Sequence, residues 1–147
     1  MRSPLRLVAL AAVLTVCALT LTGCDRNMIA VDAAKSQIGV PYTYGGSSPE
    51  TGFDCSGLTQ WSWQQADVSL PRSAAEQWAA TTPISREELQ PGDLVFYTST
   101  GTVSHVAMYI GDGQIVQARK PGTMVEVDDL DTYWVSALFS FGRVPLP

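Results

Sequence analysis

The hydrophobic period of this chain changes once, at Gly92, and that switch limits what it can fold into. Before Gly92 the apolar residues recur at helical spacing; after it they alternate. Met28 to Ile38 places Ile29, Ala30, Ala33, Ala34 and Ile38 on one stripe, with Gly39 positioned to end the helix. Val40 to Phe53 reads as a loop. Cys55 to Ala66 reads as a second helix carrying Leu58, Trp61, Trp63 and Gln65, with Asp54 or Ser56 as its N-cap. Ser73 to Ala80 is a shorter third helix after Pro71, and Ser85-Arg86-Glu87-Glu88 fits a capping box for one more turn. The spacing then predicts strands over Asp93–Tyr97, Val103–Ile110, Gln114–Ala118, Thr123–Val127 and Val135–Phe141. Gly111-Asp112-Gly113 marks a tight hairpin between two of them. Helices followed by an antiparallel meander make an α+β domain.

The first residues have a different character. Arg2 and Arg6 precede an apolar run from Leu7 to Leu21, and Leu21-Thr22-Gly23-Cys24 follows. Length and flanks fit a secretory signal better than a spanning helix. The four-residue end resembles the lipobox of bacterial lipoproteins, which implies cleavage before Cys24 and a lipid on its sulfur. The expected organisation is a signal over 1–23, a lipidated tether over 24–27 and one folded domain over 28–147. An extended tether of that length reaches about 10–14 Å. The expected location is the extracytoplasmic side of a bacterial membrane, within the cell envelope, held there through the lipid alone.

Charge excludes some partners. The sequence holds 9 Lys and Arg against 14 Asp and Glu; without Arg2 and Arg6 the balance is 7 against 14, a net charge of −7. A chain that acidic is a poor match for nucleic acid or anionic headgroups. The acidic stretch Glu126 to Asp131 reads as a solvated turn. One histidine and few cysteines cannot make the usual zinc sets, and no carboxylate cluster resembles a calcium loop, so neither metal nor cofactor is expected. The domain is expected to be monomeric.

Removing the leader and blocking Cys24 would leave Cys55 as the one free thiol, and His105 is the only histidine of the 147 residues. A free thiol in an exported protein is a liability unless it does something. At a helix start its pKa is expected to fall, because unpaired amides and the helix dipole favour an anion. The same amides could hold the oxyanion formed when a thiolate attacks a carbonyl, and Gly57 permits close backbone approach. His105, on a strand, would carry the proton to the leaving amine. Its other nitrogen needs a partner; Gln117, past the hairpin, can lie on the same face, whereas Gln114 projects from the opposite one.

Five segments in order then resemble the NlpC-type cell-wall cysteine peptidases. They are Pro41-Tyr42-Thr43-Tyr44-Gly45-Gly46, Gly52-Phe53-Asp54-Cys55-Ser56-Gly57-Leu58, Leu70-Pro71-Arg72-Ser73 with Gln77, Pro91-Gly92-Asp93-Leu94-Val95-Phe96, and His105-Val106-Ala107-Met108-Tyr109-Ile110-Gly111. The resemblance implies a minimal papain-like fold, with N-terminal helices on a sheet of five or six antiparallel strands. It implies hydrolysis of peptidoglycan stem peptides, typically at the D-γ-glutamyl bond to a diamino acid. It assigns Cys55 as nucleophile, His105 as base and position 117 as the third polar residue. It also places Tyr42 near the thiol, with Asp54 and Ser56 lining the cleft. Arg72 is a candidate for a substrate carboxylate. The third residue is most often histidine in that family; Gln117 would orient the imidazole without adding charge. Other readings stay open: an amidase or acyltransferase on another envelope amide, or a weak or silent lipoprotein that binds wall peptides or a partner.

Overall fold

The computed structural model describes residues 22–131 and 138–147. The apolar leader, Trp134 and the first residues of the strand expected from Val135 lie outside them. Helix α1 runs over Gly23–Ser36, starting more than a turn before the apolar stripe. Its start is a capping box: Thr22 accepts from the Asp25 N–H, and the Asp25 carboxylate accepts from the Thr22 N–H at 3.0 Å. That polar signal was the one to read, because the stripe begins only where the helix touches the domain. Residues 24–27, expected as an extended tether, are therefore helical. At 1.5 Å per residue they span about 6 Å.

A two-stranded ribbon follows, β1 over Ser47–Ser48 and β2 over Gly52–Phe53. Helix α2 spans Cys55–Gln65 and α3 spans Ala74–Ala80, with Asp54 and Ser73 as their N-caps. Residues Arg86–Glu88 form a single 3₁₀ turn after Ser85. The sheet comprises β3 (Thr82–Ile84), β4 (Leu94–Ser99), β5 (Thr102–Gly111), β6 (Gln114–Gln117), β7 (Glu126–Asp129) and β8 (Leu138–Arg143). Its order is β3-β8-β4-β5-β6-β7, every pair antiparallel. The expected five or six strands are thus six. The extra one, β3, carries Pro83 at the sheet edge, where a missing N–H costs least. Between β5 and β6, Asp112 and Gly113 both have positive φ, which matches the twist of a short hairpin.

The sheet is apolar on both faces. Leu94, Phe96, Val106, Met108 and Val116 pack with Leu58 and Trp63 of α2. Val95, Tyr97, Ala107, Ile115 and Leu130 form a second cluster, flanked by Leu89, Tyr109, Phe139 and Phe141. Burying one such side chain contributes about 1.5–3 kcal/mol, so α2 is held firmly at a fixed height on β5. Of the tryptophans, Trp63 is buried, Trp61 packs on Phe53, and Trp78 packs edge-on against Phe96.

Candidate active site

Cys55 is the first residue of α2, and the turn before it is locked by charge. The Asp54 carboxylate accepts from the Gly57 N–H at 2.7 Å and from the Gly45 N–H at 3.1 Å. Arg72 forks onto it, one nitrogen to Oδ1 at 2.9 Å and the other to Oδ2 at 2.7 Å. The same two nitrogens donate to Ser56 Oγ at 3.0 Å and to the Gly46 carbonyl at 3.3 Å. Gly57 is required by proximity: a Cβ there would overlap the Gly46 carbonyl oxygen. The buried amide of Gln77 completes the frame, donating to the Ser56 and Pro71 carbonyls and accepting from Thr59. An open cleft of about 470 Å³ lies in front, lined by Cys55, Ser56, Asp54, Arg72, Tyr44 and Ser104 among others.

Arg72 lines the cleft, and both terminal nitrogens of its guanidinium donate to protein acceptors, which braces Asp54. One expectation changes here. The thiol was expected to be acidic; burial instead pushes the Cys55 thiol up. The Val106 N–H and the Ser56 N–H and hydroxyl pull the other way, and the nearby Asp54 charge adds to the rise. The main physical reason is desolvation of the largely buried sulfur; the Asp54 carboxylate, which also takes the Gly57 amide, is a lesser one. Tyr42 is half-buried; burial first, then the proximity of Cys55 and Asp54, raises its phenol. Tyr44, 89% exposed on the cleft rim, was not singled out, because nothing in a loop sequence separates a rim tyrosine from a covering one.

The other side of the site is a sheet face. The Val106 amide, which favours the Cys55 thiolate, belongs to the residue after His105, so the thiol lies near the part of β5 that carries the imidazole. His105 is 6% exposed. Its Nε2 lies 2.8 Å from Gln117 Oε1, the pairing expected from strand alternation. Gln117 is fully buried, and its Nε2 donates to Asp128 Oδ2 at 2.7 Å. The Tyr97 ring packs against the imidazole, with centroids 5.3 Å apart. Burial pushes the His105 pKa down to about 4, and Arg119 adds to the fall, against the Gln117 bond, which raises it. Burial thus acts on both groups in favour of the uncharged form.

Asp128 is the residue that sequence reasoning missed. It was placed in a solvated acidic turn, because the strand there was expected to stop at Val127; β7 in fact runs over Glu126–Asp129. Among the described residues, no group of three or more His, Cys, Asp or Glu is arranged to hold a metal ion.

A cysteine at a helix start, packed on an antiparallel sheet beside the strand bearing its histidine, is the arrangement of a papain-like α+β domain. The NlpC/P60 family model matches residues 39–143, and the chain belongs to that family. The bifunctional muramidase/DL-endopeptidase CwlT of Bacillus subtilis (strain 168) is 47% identical over 110 residues, covering 72% of this chain and 33% of that protein. Murein DD-endopeptidase MepH of Escherichia coli (strain K12) is 38% identical over 125 residues, covering 81% of this chain and 46% of that one. A solved structure from Staphylococcus aureus subsp. aureus Mu50, described as similar to lipoprotein and of the NLP/P60 family, superposes with TM-score 0.76. It is 40% identical and covers 91% of this chain and 46% of its own. The chain thus spans less than half the length of each of these relatives.

Proposed function

We propose that this chain is a peptidoglycan endopeptidase that cleaves stem-peptide amide bonds, at the D-γ-glutamyl bond to a diamino acid, by thiol chemistry. The observation that carries the reading is a cysteine at a helix start near the part of β5 that bears a buried histidine hydrogen-bonded to Gln117. Relatives described as a DL-endopeptidase, a gamma-DL-glutamyl hydrolase and a murein endopeptidase support the substrate class. In this mechanism His105 takes the Cys55 proton as the sulfur attacks the carbonyl. The backbone amide of Cys55 at the start of α2 receives the oxyanion, and the imidazolium then protonates the leaving amine. The acyl-enzyme is released by water, activated by the same imidazole. Burial that favours both uncharged forms fits general-base attack, with the thiolate forming only as the proton moves.

Digestion of purified sacculi followed by mass analysis of the fragments tests the reading. Release of fragments ending in D-glutamate is expected, with none from Cys55→Ala. Fragments cut at any other bond would reassign the specificity, and intact sacculi would overturn the activity.

We further propose that Cys24 carries a lipid that holds the domain at a bacterial membrane. The order of charge, apolar run and Thr22-Gly23-Cys24 supports this. Cleavage before Cys24 would remove the Thr22 cap and Gly23, leaving the lipidated cysteine at the first turn of α1. Cys24→Ser should move the protein from the membrane to the soluble fraction with its hydrolysis rate retained. Continued membrane fractionation would sink the anchoring argument alone.

A further inference from the structure

Three groups in the base side of the site lie on one face of the sheet, each displaced diagonally from the last. In the β6–β7 register Gln117 stands opposite Glu126, and Ile115 opposite Asp128. Asp128 is therefore the diagonal neighbour of Gln117 on the same face, within reach of a long side chain. The acid directly opposite is diverted: Glu126 is ion-paired to Arg119. What remains for the buried amide is Asp128, at 2.7 Å.

A primary amide has two unlike ends, and a fully buried one has no water to correct a wrong choice. An ionised carboxylate only accepts, so the NH₂ end of Gln117 must face Asp128. A flipped amide would set its carbonyl oxygen against Asp128 Oδ2, acceptor on acceptor. With the NH₂ end so fixed, Oε1 faces His105, and Oε1 also only accepts. His105 Nε2 must then carry the hydrogen, which leaves the lone pair on Nδ1 for the Cys55 thiol. We infer that Asp128 is a positioning residue that acts through Gln117 to select the one tautomer of His105 able to take a proton from Cys55. A glutamine in this place needs such a partner, because its own two ends would otherwise serve either tautomer.

The inference rests on the reading of His105 as the base, and its test separates the two. His105 is the only imidazole of the chain, so the ring nitrogens of uniformly ¹⁵N-labelled full chain, made without affinity histidines, give unambiguous signals. The wild-type protein should show Nε2 protonated and Nδ1 bare. Asp128→Ala should move both nitrogens toward intermediate shifts as the second tautomer appears. On sacculi-derived peptides, Asp128→Ala should lower kcat about tenfold with KM within about twofold, the loss expected when an orienting partner of a reactive imidazole is removed. Added to Gln117→Ala, it should cost nothing further, since its route is already cut. Wild-type ring shifts in Asp128→Ala, or an equal loss in both backgrounds, would overturn the inference. If Asp128→Ala does not fold, Asp128→Asn carries the same test, with a smaller shift in the same direction expected and an unchanged tautomer overturning it. The nuclear magnetic resonance result decides the matter even if no peptide is hydrolysed, in which case only the proposed activity fails.

Discussion

The two sides of the cleft are built by different means. The side of the proposed nucleophile, Cys55, is a tight loop-to-helix turn, braced by a charged fork between Arg72 and Asp54 and by the close approach of Gly57 to Gly46. Its parts come mostly from a short stretch of chain, and its hydrogen bonds are partly exposed. The side of the proposed base is a sheet face, where His105 and Gln117 are buried and bonded to each other, and a half-buried Asp128 holds the far end of the amide. One side depends on a charged pair in contact with solvent, the other on a buried imidazole and amide backed by a single half-buried carboxylate. Salt and pH should therefore act on them differently.

The largest expected effect falls on the base side. His105 has its pKa lowered to about 4 in the folded protein, against 6.5 for the free side chain. Between those values the unfolded chain binds more protons than the folded one. The contribution is thus complete above pH 6.5 and is lost as pH falls toward 4, amounting to about 3 kcal/mol. Urea unfolding across this range should show a steeper acid loss for the wild type than for His105→Gln. Parallel curves would mean the imidazole is better hydrated than its burial indicates.

The next effect tests the nucleophile side. Arg72→Ala leaves the Asp54 carboxylate with its backbone donors alone and should cost about 2 kcal/mol in urea unfolding, the scale of a lost charge-assisted hydrogen-bond pair. It should also slow iodoacetamide alkylation of Cys55, since an unbalanced Asp54 charge opposes the thiolate. Arg72→Lys should recover little, because an ammonium cannot fork. Full recovery by lysine would show that charge alone, and not geometry, braces the turn.

The smallest effect is on rate. Gln117→Ala should lower kcat about tenfold with KM little changed, a loss of transition-state stabilisation near 1.4 kcal/mol. Gln117→His should retain at least the wild-type rate, since an imidazole can orient His105 as an amide does. Wild-type turnover by Gln117→Ala would make the amide a bystander and confine function to the loop side.

What could be read from the sequence follows the same division. The nucleophile turn was legible because its signals are local: Asp54 before an apolar helix, Gly57 three residues on, Ser73 capping the next helix. The His105–Gln117 pairing was legible because a tight hairpin fixes parity across two strands. Asp128 was not, because its place depends on a register across a longer connection, and a run of acids looks the same in a turn as on a sheet. The start of α1 was misplaced for the opposite reason: its cap lies in polar residues outside the stripe that was being followed. The thiol's raised pKa was hidden too, since its main cause is burial, which depends on how α2 packs and not on where the helix starts.

The separation of Cys55 from His105 by fifty positions, with Asp128 further still, has a consequence for the newly made chain. Until β5, β6 and β7 have paired and closed over α2, the thiol has no base beside it, and the base has no fixed tautomer. Pairings this distant in sequence form late and slowly compared with helices. Nascent or unfolded copies are thus chemically inert as hydrolases. Topology acts as a safety catch, released only where the whole sheet can assemble.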